Sequence, residues 1–325
     1  MKRGLVILDH DEVSEAEWAG RADRVRELMA AEGVDLALVY GDVFRSDDIH
    51  YLTNLCIYWN ECVLAIPTDG GADEVTLLTK LSPRVHTWMR QTTTLTDLRS
   101  GKSFESLVKG LIEGRKPGTI GLIDGQLWAE SVVDEVKAAA ADWTVRPLGS
   151  LVRELRKRPS EAEVALLRRA GAVLAEAIGA ATAEGLPDGE RIAVAERIVR
   201  DAGFTDVIVR AEDGAVEITG QHRTSWLRVG RGDAAAALRS AVARAADGVT
   251  VGELAGAVAP WDLRVIDHVD LTTDGEYADS SSDRVLAAGE VVVISVGGPE
   301  ELGASDTVLI GATGAENLTS PEVSA

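Results

Sequence analysis

Cysteine is scarce in this chain of 325 residues, which contains only Cys56 and Cys62. Two cysteines are too few to build a disulfide framework. No histidine or cysteine pattern around them has the ligand spacing of a zinc site. We therefore expect both to be ordinary buried thiols.

Basic residues are also outnumbered by acidic ones. The chain contains 33 Lys and Arg and 53 Asp and Glu, which gives a formal net charge of −20. Nucleic acids and anionic membranes attract basic surfaces, so neither is an expected partner. The sequence lacks a Walker loop and a GxGxxG phosphate-binding pattern after a strand. The acidic surplus fits a cationic or neutral small-molecule substrate.

Long apolar runs are missing too. No run of about 18 apolar residues occurs, so no membrane span is predicted. The N-terminal stretch MKRGLVILDHDEV has neither the long apolar core nor the small-residue cleavage site of a signal peptide. We expect a soluble cytoplasmic protein.

The apolar residues that are present make up 46% of the chain, enough for a sizeable core, and the length suggests two domains. Residues 1–154 form the first. Its pattern predicts helices over 14–33, 104–114 and about 128–140, and strands at VDLALVYG, HYLTNLCIYW, ECVLAIPTDG, VTLLTK and TIGLID. This alternation predicts an α/β domain with a mixed sheet flanked by helices. Asp47 and Asp48 are expected in a solvated loop.

Residues 155–325 are predicted to form a second, α+β domain. A charged joint at 156–159 precedes Ser160, which with Glu163 forms a capping box for a long helix. Later helices are predicted over about 188–202 and 233–246, and a hairpin is predicted around 212–214. Strands are predicted at RTSWLRVG, LRVIDHVDL, VVVISVG and TVLIGATG.

Several phrases, in this order along the chain, resemble the pita-bread superfamily of creatinase, prolidase and aminopeptidase P. They are RADRVRELMAAEGVDLALVY, HYLTN, LRKRPSEAEVALLRRAGAVLAEA, VLAAGEVVVISVGG and SDTVLIGATGAENLT. The resemblance covers nearly the whole chain. It implies a creatinase-like N-terminal domain, a pita-bread C-terminal domain shortened around 205–230, and a homodimer.

Members of this superfamily usually bind two divalent cations, which activate a bridging water. Their ligands are two Asp, one His and two Glu. The resemblance places these five, in that order, on Ala211 or Glu212, His222, His268, Ser295 and Ser305. Neutral serine hydroxyls do not balance the charge of two cations. The resemblance therefore implies a diverged member that has lost the metal pair, and no metal or other cofactor is expected.

Three functions stay open. The first is a metal-independent enzyme, similar to creatinase, that acts on a small polar amide, amidine or amino-acid derivative by C–N hydrolysis or related acid–base chemistry. Such an enzyme could belong to specialised metabolism. The second is a catalytically inactive binding protein on the same scaffold. The third is a hydrolase with a single metal held by His222, His268 and a carboxylate.

The enzyme hypothesis assigns roles to named side chains. His222 or His268 is the candidate proton shuttle, because the pKa of imidazole lies near working pH. Glu276 or Glu212 would orient that histidine. Arg223 or Arg228 would hold an anionic group.

Further candidates would contact the substrate. Ser295 and Ser305 could form hydrogen bonds with it, and the resemblance implies that Tyr51 and Trp59 approach a site from the N-terminal domain. Structural roles compete with these assignments: His268 as a satisfied core histidine, His222 as a turn residue, and Tyr51 as core packing.

Overall fold

The structure of the protein is a computed structural model that describes residues 8–57, 61–71, 74–271, 278–279, 282–298 and 302–320. It divides into two compact units, residues 2–156 and 157–325. Within the described ranges, no helix combines the length and the apolar character that crossing a membrane requires.

The first unit is an α/β domain built on a six-stranded mixed sheet. Its strands are β1 (Leu36–Gly41), β2 (Cys62–Pro67), β3 (Thr76–Thr79), β4 (Asp97–Ser100), β5 (Thr119–Ile123) and β6 (Thr144–Leu148). They lie in the order β4-β3-β2-β1-β5-β6. Strand β2 is antiparallel to both neighbours, and the other pairs are parallel. The prediction of a mixed sheet is confirmed.

Helices flank this sheet, and separate apolar clusters fill its two faces. The helices are α1 (Glu15–Ala31), α2 (Asp47–Thr53), α3 (His86–Met89), α4 (Phe104–Ile112), α5 (Glu130–Ala139) and α6 (Leu151–Lys157). Ser14 caps α1, since its side chain accepts the N–H of Glu17. Both cysteines are buried thiols outside any disulfide, as expected.

The predicted strand at HYLTNLCIYW is wrong, because this segment begins inside helix α2. Asp47 and Asp48 occupy the first turn of α2, where carboxylates are favoured by the helix dipole. Asn54 ends the helix in a left-handed conformation, with φ of 61°. The expected solvated loop is also wrong, because Asp48 binds Arg156 at 2.8 Å and Asp47 lies 3.8 Å from the same guanidinium.

The second unit combines four helices with an eight-stranded sheet. The helices are α7 (Glu161–Ala181), α8 (Asp188–Asp201), α9 (Ala235–Val242) and α10 (Val251–Gly256). The strands are β7 (Asp206–Glu212), β8 (Ala215–His222), β9 (Ser225–Arg231), β10 (Asp262–Asp267), β11 (Ala278–Asp279), β12 (Val291–Gly297), β13 (Ala304–Ile310) and β14 (Ala315–Asn317). The main path is β11-β10-β12-β13-β9-β8-β7, and β14 pairs with β13. The capping box at Ser160 and Glu163 and the turn between β7 and β8 are both confirmed.

The helices cover one face of this sheet. Helices α7 and α8 share an apolar cluster with Val216, Ile218, Leu227 and Val229, among others. Helices α9 and α10 share another with residues that include Leu263, Ile294, Val296 and Ala304. Because side chains alternate along a strand, the residues between these positions point to the opposite face. We call this the polar face, and it carries Glu217, Arg228, Gly230, Arg264, Ser295 and Ser305.

Candidate functional site

The polar face carries one continuous row of paired residues across seven strands, here called the central row. It runs Asp279 (β11), Arg264 (β10), Ser295 (β12), Ser305 (β13), Gly230 (β9), Glu217 (β8) and Arg210 (β7). Its three middle positions are small and uncharged, and they span roughly 10 Å at the usual strand spacing. Charged side chains flank them on both sides.

The two serines at the middle of the row have buried hydroxyl oxygens. Ser305 is 1% exposed and Ser295 is half-buried, and neither Oγ atom has a hydrogen-bond partner among the described residues. Ser305 packs directly against Gly230, since a Cβ atom on that glycine would lie 2.7 Å from Ser305 Oγ. Buried hydroxyls usually find a partner, so this pair indicates a place for a bound group.

Two more buried polar atoms on the same face lack a partner within the described part of the chain. They are Gln221 Nε2 and Trp226 Nε1, and the two residues face each other across β8 and β9. Gln221 is completely buried and Trp226 is 3% exposed. Both atoms can only donate hydrogen bonds, and the serine hydroxyls can also donate. The polar face therefore suits a ligand that is rich in acceptors.

An ionic network lies between the pair of serine hydroxyls and the pair formed by Gln221 and Trp226. Arg228 donates from Nε to Thr219 Oγ1 at 3.0 Å and lies 3.8 Å from Glu217 Oε1. Arg210 donates from Nε to the same carboxylate oxygen at 3.2 Å. Burial lowers the pKa of Arg228, Glu217 opposes that shift, and Arg210 adds to it. Thr307 ties β13 to β9 at Arg228. Its hydroxyl accepts the Arg228 N–H and donates to the Arg228 carbonyl oxygen.

His268 lies just beyond the end of β10 and is 2% exposed. Its Nδ1 atom lies 3.0 Å from the carbonyl oxygen of Val291. A carbonyl oxygen only accepts, so Nδ1 carries the proton and Nε2 is the basic nitrogen of the neutral ring. His268 follows Arg264 by four residues, so the two Cα atoms lie roughly 13 Å apart along the strand direction. Arg264 is the residue opposite Ser295.

The preceding residue, Asp267, anchors this end of β10. Its carboxylate binds Arg284 and lies 3.3 Å from Lys157 Nζ. Burial by itself would raise the pKa of Asp267, but Arg284 and Lys157 hold that pKa below its ordinary value.

His222 lies away from the serines. It is the last residue of β8, where alternation places it with Val216 and Ile218 on the helix-covered face. Its ring contacts Phe204, a member of the apolar cluster of α7 and α8, at a centroid distance of 5.1 Å. Arg223 follows in the hairpin turn, with φ of 53°. The expectation that His222 shares one ligand set with Ser295 and Ser305 does not agree with this placement.

The remaining candidates are separated as well. Glu212 is exposed and pairs with Ala215, at the far end of β8 from His222, roughly 23 Å away along the strand. Tyr51 is 1% exposed inside the first unit, where the Arg21 guanidinium lies 4.5 Å from its ring centroid. This placement is the core-packing role of Tyr51, which was the alternative to a role in substrate contact. Glu276 and Trp59 lie outside the described residues.

The donor set does not fit a metal pair. The residues that adjoin Ser295 and Ser305 in the row are Arg264 and Gly230, and not His268 and His222, which the resemblance implies as fellow ligands. A hydroxyl, a guanidinium and a missing side chain supply no anionic ligand. Among the described residues, no three His, Cys, Asp or Glu side chains lie together as a metal site would require.

Sequence reasoning missed five residues of this face: Gly230, Arg264, Glu217, Gln221 and Trp226. The signal that finds them is strand register, which motif counting does not supply. A shift of one residue reverses the face of every side chain on a strand. Only the pairing of β9 with β13, and of β10 with β12, fixes which residues adjoin the serines.

Comparison with known proteins agrees with this architecture. Residues 21–158 match the family described as the Creatinase/Prolidase N-terminal domain. Prolidase from Pyrococcus furiosus is 17% identical, with a TM-score of 0.68 over 92% of this chain and 99% of that one. X-Pro aminopeptidase from Thermotoga maritima MSB8 is 17% identical, with a TM-score of 0.73 over 92% and 97%. Xaa-Pro dipeptidase from Bacillus anthracis is 16% identical, with a TM-score of 0.69 over 93% and 97%.

At these identities the solved structures establish the fold and nothing finer. No curated protein matches the chain in sequence.

Proposed function

The chain has the fold of the creatinase, prolidase and aminopeptidase P superfamily, with a Creatinase/Prolidase N-terminal domain at residues 21–158, and from this premise we propose that it is a metal-independent enzyme. Its substrate is a small polar amide, amidine or amino-acid derivative, and its reaction is C–N hydrolysis or closely related acid–base chemistry. The observation that carries the proposal is the central row. Ser295 and Ser305 offer hydroxyls where the family resemblance implies two metal-binding glutamates, and Arg264 lies opposite Ser295.

The polar face supplies binding in this proposal. The buried donors of Ser295, Ser305, Gln221 and Trp226 gain partners when an acceptor-rich substrate arrives. Arg228 adds a cation between the two groups. Binding that fixes the substrate on a rigid sheet lowers the entropic part of the barrier.

His268 is the better of the two candidate proton shuttles. Its Nδ1 contact with Val291 fixes the tautomer and leaves Nε2 as the base. Nε2 takes a proton from water as the water oxygen bonds to the substrate carbon. The same proton then passes to the leaving nitrogen as the C–N bond breaks, so the products are the hydrolysed acid or carbonyl compound and an amine.

The test is release of amine or ammonia from a panel of short amides, amidines and N-acyl amino acids, with and without a chelator. We expect turnover that the chelator does not change. His268→Asn should reduce turnover at least 100-fold, within the usual range for loss of a general base. His10→Asn is the matched control, because His10 lies on the surface near Glu15 and should keep full turnover.

A thermal melt of His268→Asn separates lost chemistry from lost folding. Turnover that appears only after manganese or zinc is added would contradict the proposal and favour a metallohydrolase.

A catalytically inactive binding protein is the second candidate. It is favoured by an apolar cluster of Trp226, Leu271 and Val293, because Trp226 and Val293 point to the polar face. Absence of turnover across the panel, together with ligand binding, would support this candidate. A single metal shared by His222 and His268 gains no support, since His222 contacts Phe204 on the helix-covered face.

The superfamily premise also supports a homodimer and a cytoplasmic location, and both remain proposals. Light scattering coupled to size exclusion would measure the subunit number. A monomeric mass would contradict the dimer.

A further inference from the structure

We propose that the second unit has a further ligand site, a cleft beside α9 that binds a small amphipathic carboxylate with its acid group on Arg239. The cleft belongs to the helix-covered face of the sheet, because α9 packs on that face and Asp306, which lines the cleft, alternates with Ser305 along β13. The site is therefore separate from the polar face. It goes beyond the proposed function and concerns binding alone.

The cleft has a volume of about 780 Å³. Small-molecule sites usually measure about 300–1,000 Å³, so this cleft has room for a small organic ligand. It is lined by α9, by β14 and by the nearby residues Arg231, Asp306 and Ser320. All of these belong to the second unit.

Helix α9 and its C-cap turn a largely apolar stripe towards the cleft. The members of the stripe are three or four residues apart, so they share one side of the helix: Ala235, Leu238, Arg239, Val242 and Ala243. Leu238 is buried in the apolar cluster of α9 and α10, and Ala235 and Val242 are partly buried against that cluster. An alkyl chain laid along this stripe is removed from water, which favours binding.

Arg239 supplies a positive charge within the stripe. Its side chain is exposed and lines the cleft, and it has no hydrogen bond or ion pair with any residue in the described ranges. A guanidinium presents its N–H groups in a planar fork that matches the two oxygens of a carboxylate. Arg239 can therefore hold an acid group while the apolar stripe holds the chain attached to it.

The polar residues elsewhere in the lining are already bonded to one another. Asp306 is 3% exposed, and its carboxylate accepts from Arg231 Nη1 at 3.0 Å and from Asn317 Nδ2 at 2.8 Å. Ser320 Oγ donates to the same carboxylate at 3.1 Å. Because these groups satisfy each other, they form a rigid part of the cleft and leave recognition of charge to Arg239.

The lining has one cation in excess, which selects a monoanion. Its charged side chains are Arg231, Arg239, Asp306 and Glu316. Arg231 pairs with Asp306, and Glu316 is held by both Nε and Nη2 of Arg168 at 2.6 Å. Arg239 is the charge that these pairs leave over.

The acidic surplus of the whole chain does not cancel this charge. Close by in sequence, Asp233 and Arg244 are exposed, lie outside the lining and are opposite in sign. More distant exposed charges are screened over about 8 Å at physiological ionic strength. The cleft should therefore prefer an anion at that ionic strength.

The test is calorimetric titration of the purified full chain with linear carboxylates from butanoate to decanoate at physiological ionic strength. Alcohols of the same chain lengths are the neutral ligand controls. We expect saturable binding whose affinity rises about threefold to fourfold for each added methylene until the chain fills the cleft. Each carboxylate should bind at least about fivefold more tightly than its alcohol.

Two variants separate the acid contact from the cleft itself. Arg239→Gln should remove the advantage of the carboxylates and leave the affinity for the alcohols unchanged. Ala243→Trp should prevent binding of both, because Ala243 is exposed at the C-cap of α9 and a large side chain there fills the cleft. Arg244→Gln is the matched control, since it removes an exposed arginine outside the lining and should keep wild-type affinity.

Thermal midpoints without ligand check that each variant is folded. Binding that does not saturate, equal affinity for carboxylate and alcohol, or wild-type carboxylate affinity in Arg239→Gln would each overturn the proposal. His268→Asn, which tests the proposed enzyme, should bind the carboxylates as the wild type does. Loss of turnover with this binding kept would separate the two proposals, and so would turnover in a chain that does not bind the carboxylates.

Discussion

At the residue scale, Ser295 and Ser305 place hydroxyls where the family resemblance implies carboxylates, a difference of charge more than of size. Two glutamates would place two negative charges at the middle of the row, between Arg264 and Gly230. Two serines place none, so the middle of the row is uncharged. The chain as a whole carries a charge of −20, which favours cationic or neutral ligands at long range. The polar face agrees with that average, because alternation places Asp206, Glu212 and Asp262 on it as well.

Asp267 gives a prediction about pH. Its pKa is held down in the folded chain, so its carboxylate stabilises the fold at all pH values above the unfolded pKa of about 3.9. That contribution is lost as pH falls through the lower, folded pKa. Asp267→Asn should reduce the free energy of unfolding by about 1.5–3 kcal/mol near neutral pH, through lost charge-assisted hydrogen bonds to Arg284 and Lys157.

The measurement is urea unfolding of the wild type and the variant between pH 7 and pH 3. The difference between them should stay level down to about pH 4 and narrow below it. Asp142→Asn is the control, because Asp142 is exposed and should give no comparable difference. A difference that widens as pH falls would contradict the assignment.

At the element scale, helix α7 shows how one helix meets two different environments. Gly171 is buried, and a Cβ atom there would lie 2.0 Å from the carbonyl oxygen of Leu318. Gly179 is two turns later on the same helix, is exposed, and has nothing within 4 Å of its Cβ position. The segment after β14 therefore lies directly against α7 at Gly171.

Alanine at the two glycines should have opposite effects on stability. Gly171→Ala should destabilise the second unit by about 1–3 kcal/mol, because backbone must move to admit the methyl group. Gly179→Ala should stabilise it by about 0.5–1 kcal/mol, since alanine favours a helix over glycine. Midpoints of urea unfolding measure both. The close approach would be disproved if the two variants were equally stable.

Sequence patterns predicted the elements better than the faces they present. Caps and apolar periodicity located α1, α7 and the hairpin of β7 and β8 from local signals alone. The strand predicted at HYLTNLCIYW was wrong because its apolar residues also suit a short helix. The acidic first turn and the left-handed C-cap of this segment favour helix α2. The face of His222 depends on where the β8–β9 turn falls, which no local pattern fixes.

At the scale of the whole molecule, the family resemblance predicted the order of the two units and their sheets. It did not predict the chemistry of the site. Relatives with TM-scores near 0.7 share the architecture at about 17% identity. Such identity leaves the site free to change while the sheet that carries it is kept. In this chain Ser295 and Ser305 stand side by side at the middle of the sheet, with Arg264 and Gly230 next to them.

The most direct measurement is metal content, determined by mass spectrometry on full-length protein purified without chelator and then dialysed against manganese, cobalt or zinc. The central row offers no anionic ligand at its middle, so we predict well below one equivalent of any of these metals per chain, with turnover unchanged by the treatment. About two equivalents, bound tightly enough to survive dialysis, would contradict the proposal and return the protein to the metallopeptidases that its fold resembles.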